Sequence, residues 1–152
     1  MSLADYLVND GIIADMKAST KLGALEELVD VMNHGCPGLD RRSVLQVLLK
    51  REGMGSTGIG DGVAIPHGKD DCCPAARIVI GRSLGGCDFE AVDGKPCHVF
   101  CLIMGPQGAA SGMFGVLGRV ARILRSAEFR KNFMETADAE GIRNLLNSAW
   151  QD

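Results

Sequence analysis

The chain has 152 residues, of which 46% are hydrophobic and 23% are charged, and its formal net charge is −3. This length suffices for one domain with its own core, which we predict to span residues 1–152, and the mild acidity disfavours nucleic acid as a partner. The first ten residues lack the basic and apolar regions of a secretory signal, and no apolar run is long enough to span a membrane. We therefore expect a cytoplasmic protein without membrane insertion.

Helices are predicted where apolar residues recur at helical spacing. The first is short, over residues 3–7. Two longer helices end at Gly35 and at about Glu52, and three more occupy the chain from Ser111 onward. The N-caps predicted for the five longer helices are, in chain order, Ser19 or Thr20, Asp40, Ser111, Ser126 and Asp138.

The middle of the chain carries strand and turn patterns instead. Gly53–Gly62 has five glycines in ten residues and is predicted to be irregular. Val63–Ile65 is predicted to be a short strand that Pro66 stops, which would place His67 at the end of that strand. The order of helices, sheet and helices favours a single sheet with helices packed on it.

Two further strand segments follow in the sequence. The glycine pair Gly85-Gly86 is predicted to turn a strand at 77–84 into a second strand at 87–91. Residues 98–104 are almost continuously apolar, which is typical of a central strand covered on both faces.

The glycine-rich segment is a candidate phosphate site. Gly53–Gly58 fits the pattern G-x-G-x-x-G, but a dinucleotide site needs a strand before the glycines and a helix after them, and here the order is reversed. Glycines still allow several backbone N–H groups to face one anion, and serine and threonine add hydroxyl donors. The alternative is a tight connection without a ligand. The phosphate-binding residues predicted in this segment are Gly55, Ser56, Thr57 and Gly58.

His67 is the candidate nucleophile. Pro66 restricts its own φ and pushes Ile65 into an extended conformation, so the imidazole is carried by a stiff backbone. A neutral imidazole keeps a lone pair on one ring nitrogen, and a hydrogen bond at the other nitrogen would select the tautomer. The alternative is a histidine at a strand end with no chemical role.

A family resemblance joins these residues. Arg51-Glu52 and the run STGIGDGVAIPHG at Ser56–Gly68 resemble the motif of fructose- and mannitol-type IIA domains of the phosphoenolpyruvate:sugar phosphotransferase system, most closely the nitrogen-regulatory branch. Further similarity lies at residues 17–19, 89–94 and 117–124. The resemblance implies an α/β fold with a single mixed β-sheet of about five strands flanked by α-helices. It also implies that His67 accepts a phosphoryl group from an HPr-like carrier, with Arg51 beside the phosphate.

Two positions depart from this family. Its members commonly carry a second histidine where this chain has Met113, and methionine can neither donate a hydrogen bond nor carry charge. Ser111, or backbone N–H groups at the start of the same helix, could substitute for it. Asp61 stands where asparagine is usual, and its carboxylate would repel a phosphate unless it points to solvent.

Three functions are compatible with these residues. The first is a phosphocarrier, without cofactor or metal, that passes its phosphoryl group to a IIB domain or a regulatory target protein. The alternative is a regulatory interaction module with weak or no phosphotransfer, which binds target proteins according to its phosphorylation state. A weaker alternative is a metal or thiol-redox protein that uses the six cysteines, although the sequence contains no C-x-x-C pair.

Overall fold

The computed structural model describes residues 2–108 and 112–150. Within these residues the chain forms six helices and six strands. They are, in order, α1 (Leu3–Tyr6), β1 (Leu7–Ile13), α2 (Lys21–Gly35), α3 (Arg41–Glu52), β2 (Gly58–Gly60), β3 (Val63–Ala64), β4 (His67–Lys69), β5 (Arg77–Cys87), β6 (Cys97–Gly105), α4 (Met113–Arg125), α5 (Ala127–Glu135) and α6 (Ala139–Ala149). None of the described helices is both long enough and apolar enough to cross a membrane.

The helix starts follow the predicted caps. In four helices the cap side chain accepts a hydrogen bond from the backbone N–H three residues later, which satisfies one of the free donors of the first turn. These caps are Thr20, Asp40, Ser126 and Asp138. Helix α4 begins after Gly112, whose φ of 74° is left-handed, and the predicted cap Ser111 lies outside the described residues.

The strands of the described residues form one mixed sheet in the order β1-β5-β6-β3-β2, with β4 also paired to β6. Strands β1 and β5 are parallel, β5 and β6 are antiparallel, and both β3 and β4 run parallel to β6. The predicted α/β class with a mixed sheet is confirmed, and the sheet has six strands rather than about five.

Two strand predictions were wrong because pairing overrides local glycine content. The chain does not reverse at Gly85-Gly86, and β5 continues to Cys87. Its pairing register with β6 shifts between Arg82 and Cys87, where the two glycines lie. Gly58–Gly60 is regular, since it pairs with β3 across the two-residue turn Asp61-Gly62. Both turn residues have positive φ, 57° and 77°, as a type I′ hairpin turn requires.

Strands β3 and β4 are two parts of one interrupted strand beside β6. Val63 pairs with Val99 and His67 pairs with Ile103 in the same register, so the alignment survives the interruption. Pro66 has no N–H to donate, but its carbonyl accepts the N–H of Ile103 at 3.0 Å. Strand β3 does end before Pro66, as predicted, but pairing with β6 resumes in the same register, so His67 begins β4 instead of ending the first strand.

Helices cover both faces of the sheet. Helices α2 and α3 pack on one face, while α1, α4, α5 and α6 pack on the other. Strand β6 is buried on both sides, as its apolar run predicts, and alternate residues enter the two cores. Phe100, Leu102 and Met104 join the first core, and Val99, Cys101 and Ile103 join the second.

Candidate functional site

The direction of the His67 side chain follows from its neighbour. A Cβ at Gly68 would lie 2.6 Å from Cγ1 of Val47, so position 68 faces helix α3. Since side chains alternate along a strand, His67 and Lys69 point to the opposite face, where α4 packs. The half-buried His67 therefore shares a cleft with Leu117 of α4.

One hydrogen bond sets the tautomer of His67. Its Nδ1 lies 2.8 Å from the backbone carbonyl oxygen of Ile65. A carbonyl only accepts, so Nδ1 must carry the proton and Nε2 keeps the lone pair of the neutral ring. Ile65 is held extended by the following proline, and its own side chain is buried. The neutral ring could therefore act as a nucleophile only at Nε2.

Two clefts meet at this ring. The first, of about 530 Å³, lies between the β2–β3 hairpin and the α4–α5 side, and we call it the hairpin cleft. The second, of about 590 Å³, lies between the end of α3 and the start of α4, and we call it the helical cleft. Both are lined by Arg51, His67 and Leu117. Such open space beside the imidazole can admit a tetrahedral anion.

Arg51 lines both clefts together with His67. It lies in the last turn of α3, and its Nη1 donates to the carbonyl oxygen of Gly55 at 2.9 Å. A guanidinium has five N–H groups in a rigid fork, so the remaining donors can contact an anion in either cleft. The loop carbonyl thus holds the cation in position, while its role toward a phosphate stays a prediction.

A buried carboxylate anchors the glycine-rich loop. Glu52 accepts the backbone N–H of Thr57 at 3.0 Å, and it also accepts the Thr57 hydroxyl. Lys21 Nζ lies 3.1 Å from the same carboxylate. Both donors of Thr57 are therefore already paired, although the residue lines the hairpin cleft. The sequence motif includes Glu52, but sequence reasoning assigned it no role.

The other loop residues divide between the cleft and the loop's own geometry. Ser56 lines the hairpin cleft, and its Oγ accepts the N–H of Gly58 at 3.0 Å. A Cβ at Gly58 would lie 2.8 Å from Ala91, so glycine is required there for close packing. Gly55 supplies the carbonyl that holds Arg51. Phosphate contacts from these residues stay a prediction.

The two departures from the family motif have clear positions. Met113 begins α4, is buried and lines the helical cleft. Asp61 is exposed in the type I′ turn, where asparagine and aspartate are both favoured before glycine, and it also lines the hairpin cleft. Its N–H donates to the carboxylate of Asp93 at 3.2 Å. Ser111, the predicted substitute for the second histidine, lies outside the described residues.

The clefts also contain basic residues that sequence reasoning did not place there. Arg125 and Arg130 line the hairpin cleft, and Lys50 and Lys69 line the helical cleft. In the sequence, Arg125 follows Arg119 and Arg122 at helical spacing, which indicates a solvent-facing side of a helix. Arg130 has no local pattern that distinguishes it. The sequence would have identified Lys69 only if the strand had been predicted to continue beyond Pro66. Lys69 would then lie two residues after His67 in the same strand, with its side chain on the same face.

Comparison with known families assigns the chain. The family model described as "Phosphoenolpyruvate-dependent sugar phosphotransferase system, EIIA 2" matches residues 5–149. The chain belongs to this family. Its members that resemble the chain include both regulatory and sugar-specific proteins, so membership supports a phosphocarrier or a regulatory role.

Two relatives and one solved structure illustrate the range of this EIIA family. The chain is 35% identical to a nitrogen regulatory protein of Bradyrhizobium diazoefficiens over 149 residues, which are 96% of this chain and 95% of that protein. It is 31% identical, over 97% of its own length, to the fructose-specific EIIABC component of Bacillus subtilis, of which it spans 23%. The nitrogen regulatory protein IIA-Ntr of Neisseria meningitidis superposes with a TM-score of 0.86 at 30% identity, covering 95% of this chain and 98% of that one.

Proposed function

We propose that this chain is a phosphocarrier that accepts a phosphoryl group on Nε2 of His67 from an HPr-like protein. The observation that carries the proposal is the hydrogen bond from Nδ1 to the Ile65 carbonyl, which leaves Nε2 free where the two clefts meet. Arg51 lies at the same junction and supplies positive charge for the phosphoryl oxygens. The role requires a cytoplasmic location, which is part of the proposal.

The chemistry follows from the tautomer. The Nε2 lone pair attacks phosphorus in line with the N–P bond of the donor phosphohistidine; that bond breaks, and its electron pair returns to the donor ring. The proton on Nδ1 stays in place, and the carbonyl of Ile65 stabilises the positive charge that develops on the His67 ring. No cofactor is needed in this step, because positioning and electrostatics lower the barrier.

The phosphoryl group can serve transport or regulation. The fructose-specific relative from Bacillus subtilis is an EIIABC component, which favours a IIB domain as the next acceptor. The nitrogen regulatory relative matches almost end to end, which favours a second candidate function: binding of a regulatory target by one phosphorylation state. Phosphorylation adds about two negative charges at the clefts and could repel such a target.

A histidine comparison tests the proposed site. Incubated with phosphoenolpyruvate, enzyme I and an HPr-like carrier, the chain should gain one acid-labile, base-stable phosphoryl group, and His67→Ala should gain none. His98 is a matched control, because its Nδ1 also lies 2.8 Å from a backbone carbonyl oxygen, that of Ser83. We expect His98→Asn to be phosphorylated like the unchanged chain, as measured by intact-protein mass spectrometry.

Two outcomes separate the candidate functions. Undiminished phosphorylation of His67→Ala would contradict His67 as the acceptor. If the unchanged chain is not phosphorylated at all, although the carrier is, the regulatory module without phosphotransfer is favoured. Native mass spectrometry of the chain with its binding partners, before and after addition of the phosphoryl donor, then shows whether binding depends on phosphorylation.

A further inference from the structure

Lys69 stands on the same side of the sheet as His67. The two residues are the first and third of β4, about 6.6 Å apart along the strand, and Gly68 between them faces α3. Both side chains line the helical cleft. A lysine side chain is long and flexible enough to bring its ammonium from this position to a group attached to the neighbouring ring.

The Lys69 ammonium lies over the ring of Phe114, and from there it can move to a bound anion. Its Nζ lies 5.1 Å from the ring centroid of Phe114, which is 66% exposed on the first turn of α4. A cation held over a solvent-exposed ring is bound only weakly, whereas an ammonium and a phosphoryl dianion attract strongly. The contact with Phe114 thus keeps the ammonium within the helical cleft but is weak enough for an anion to replace it.

The position of Phe114 is informative because it adjoins Met113. Met113 is where related domains commonly carry the second histidine; it lines the same cleft, and its thioether is neutral. The Met113 side chain therefore supplies no donor to the cleft, whereas Lys69 brings an ammonium to it. Arg51, at the junction of both clefts, is already tied to the loop by its bond to Gly55.

We propose, on the basis of the phosphocarrier function proposed above, that Lys69 is the second cationic contact of the phosphoryl group on His67. In the unphosphorylated chain its ammonium rests on Phe114. As the donor N–P bond breaks and the bond to His67 Nε2 forms, the ammonium donates hydrogen bonds to the phosphoryl oxygens. Lys69 only donates hydrogen bonds, so no proton is transferred in the step.

Lysine variants and two phosphoryl donors test this assignment. One donor is an HPr-like carrier, and the other is phosphoramidate, which phosphorylates histidine without a protein interface. We expect Lys69→Met to slow phosphorylation by about 10- to 100-fold with both donors, as for loss of one charge-assisted hydrogen bond. Lys69→Arg should stay within about threefold of the unchanged chain, because it keeps the charge. The matched control is Lys131→Met, on the exposed surface of α5.

A spectroscopic measurement detects the contact itself. A nearby cation favours the doubly charged phosphoryl group, so Lys69→Met should raise the pKa of the phosphoryl group on His67, read from the pH dependence of its ³¹P chemical shift. Met113→His added to Lys69→Met should restore part of the lost rate, since it returns a donor to the start of α4. Thermal melting is the control that checks whether the variants are folded.

Several results would overturn the assignment. A Lys69→Met chain that reacts with phosphoramidate within twofold of the unchanged rate, with the same phosphoryl pKa, excludes the contact. A loss confined to the protein donor assigns Lys69 to docking instead, and it overturns the proposal equally. Failure of the unchanged chain to react at His67 with either donor would contradict the phosphocarrier function, and is thereby distinguished from failure of the Lys69 contact.

Discussion

Among single residues, Glu52 has the largest influence on the shape of the candidate site. Its side chain is only 4% exposed, and the carboxylate pairs with the Lys21 ammonium and with both donors of Thr57. The Lys21 ammonium also lies 5.2 Å from the ring centroid of Phe89. The residue that follows Arg51 in the motif therefore joins α2, α3 and the loop that borders the hairpin cleft.

Removal of this carboxylate should destabilise the fold. Glu52→Ala leaves a poorly solvated ammonium and two donors of Thr57 without their partner, so we expect the free energy of unfolding to fall by about 3–5 kcal/mol. Urea denaturation measures the change. Glu135→Ala, at an exposed position of α5, is the control and should change stability by less than about 0.5 kcal/mol.

A double variant separates the contribution of the Lys21–Glu52 ion pair from that of the hydrogen bonds to the loop. Lys21→Met together with Glu52→Ala removes both charges, so it should be more stable than Glu52→Ala alone. A loss of less than about 1 kcal/mol in Glu52→Ala would show that water reaches the site and that the network contributes little.

At the level of elements, the contact between β4 and α3 aligns the two principal site residues. Gly68 packs against Val47 and Leu48 of α3, while His67 and Arg51 extend from these same two elements into the clefts. No side chain fits at position 68 unless Val47 or the helix moves, because a Cβ would lie 2.6 Å from Val47 Cγ1. The separation of β4 and α3 therefore sets the spacing of histidine and arginine.

Enlarging Gly68 should disturb stability and transfer together. We expect Gly68→Ala to lower the free energy of unfolding by about 1–3 kcal/mol through overpacking, and to slow phosphorylation as Arg51 shifts away from His67. Val47→Ala in the same chain makes room for the methyl group, so it should recover much of both losses. Denaturation and transfer rates measure these effects. Unchanged stability and transfer rate in Gly68→Ala would show that the contact with α3 adjusts without an energetic penalty.

The elements also show why helices were predicted better than strands. Thr20, Asp40, Ser126 and Asp138 all cap helices as expected, because a cap and its N–H partner lie three residues apart in the sequence. The continuation of the strand after Pro66 and the absence of a turn at Gly85-Gly86 depend on β6, whose residues are distant in the chain. Local rules for proline and glycine could not reveal that partner.

At the scale of the whole molecule, Arg82 joins the sheet to the C-terminal helices. It is 3% exposed in the middle of β5, and it donates to the backbone carbonyls of Ala14, Phe133 and Thr136. Phe133 and Thr136 belong to the C-terminal end of α5, where a cation also interacts favourably with the helix dipole. One guanidinium thus connects three segments that are far apart in sequence.

Replacement of Arg82 should loosen that connection. We expect Arg82→Met to lower the free energy of unfolding by about 2–4 kcal/mol, because one buried and two part-buried carbonyls lose charge-assisted hydrogen bonds. Arg82→Lys should restore little of it, since an ammonium cannot reproduce the planar fork. Arg143→Met, exposed on α6, serves as the control in urea denaturation. Equal stability of the Lys and Arg forms would argue against the fork geometry.

Burial over the whole molecule also decides which cysteines can react. Among the described residues, no three His, Cys, Asp or Glu side chains are grouped as metal ligands. Cys72 is exposed, whereas burial raises the pKa of Cys97 to about 12 and those of Cys73 and Cys87 to about 11. Burial raises the pKa of Cys101 as well.

Thiol labelling should follow this order. At pH 8 a disulfide reagent should modify Cys72 first, while the four buried thiols react only in denaturant. Because the folded chain holds these thiol protons to higher pH than the unfolded chain, stability should fall as pH rises above the ordinary thiol pKa of 9.0. Mass spectrometry of labelled peptides and urea denaturation at pH 8 and 10 measure both effects. Rapid labelling of Cys97 in the native chain would contradict its burial.

The sequence by itself determined the helices, four of the five predicted caps and the α/β class, and it contains a proline-stiffened His67 and Arg51 in one motif. These features depend on residues close together in the chain, or on a motif long enough to be specific. Only the tertiary structure decided which way Lys69 points, that Glu52 meets Lys21, and that Arg125 and Arg130 line the hairpin cleft. Clefts and buried ion pairs form between elements whose separation is set by packing, and packing has no local pattern in a single sequence.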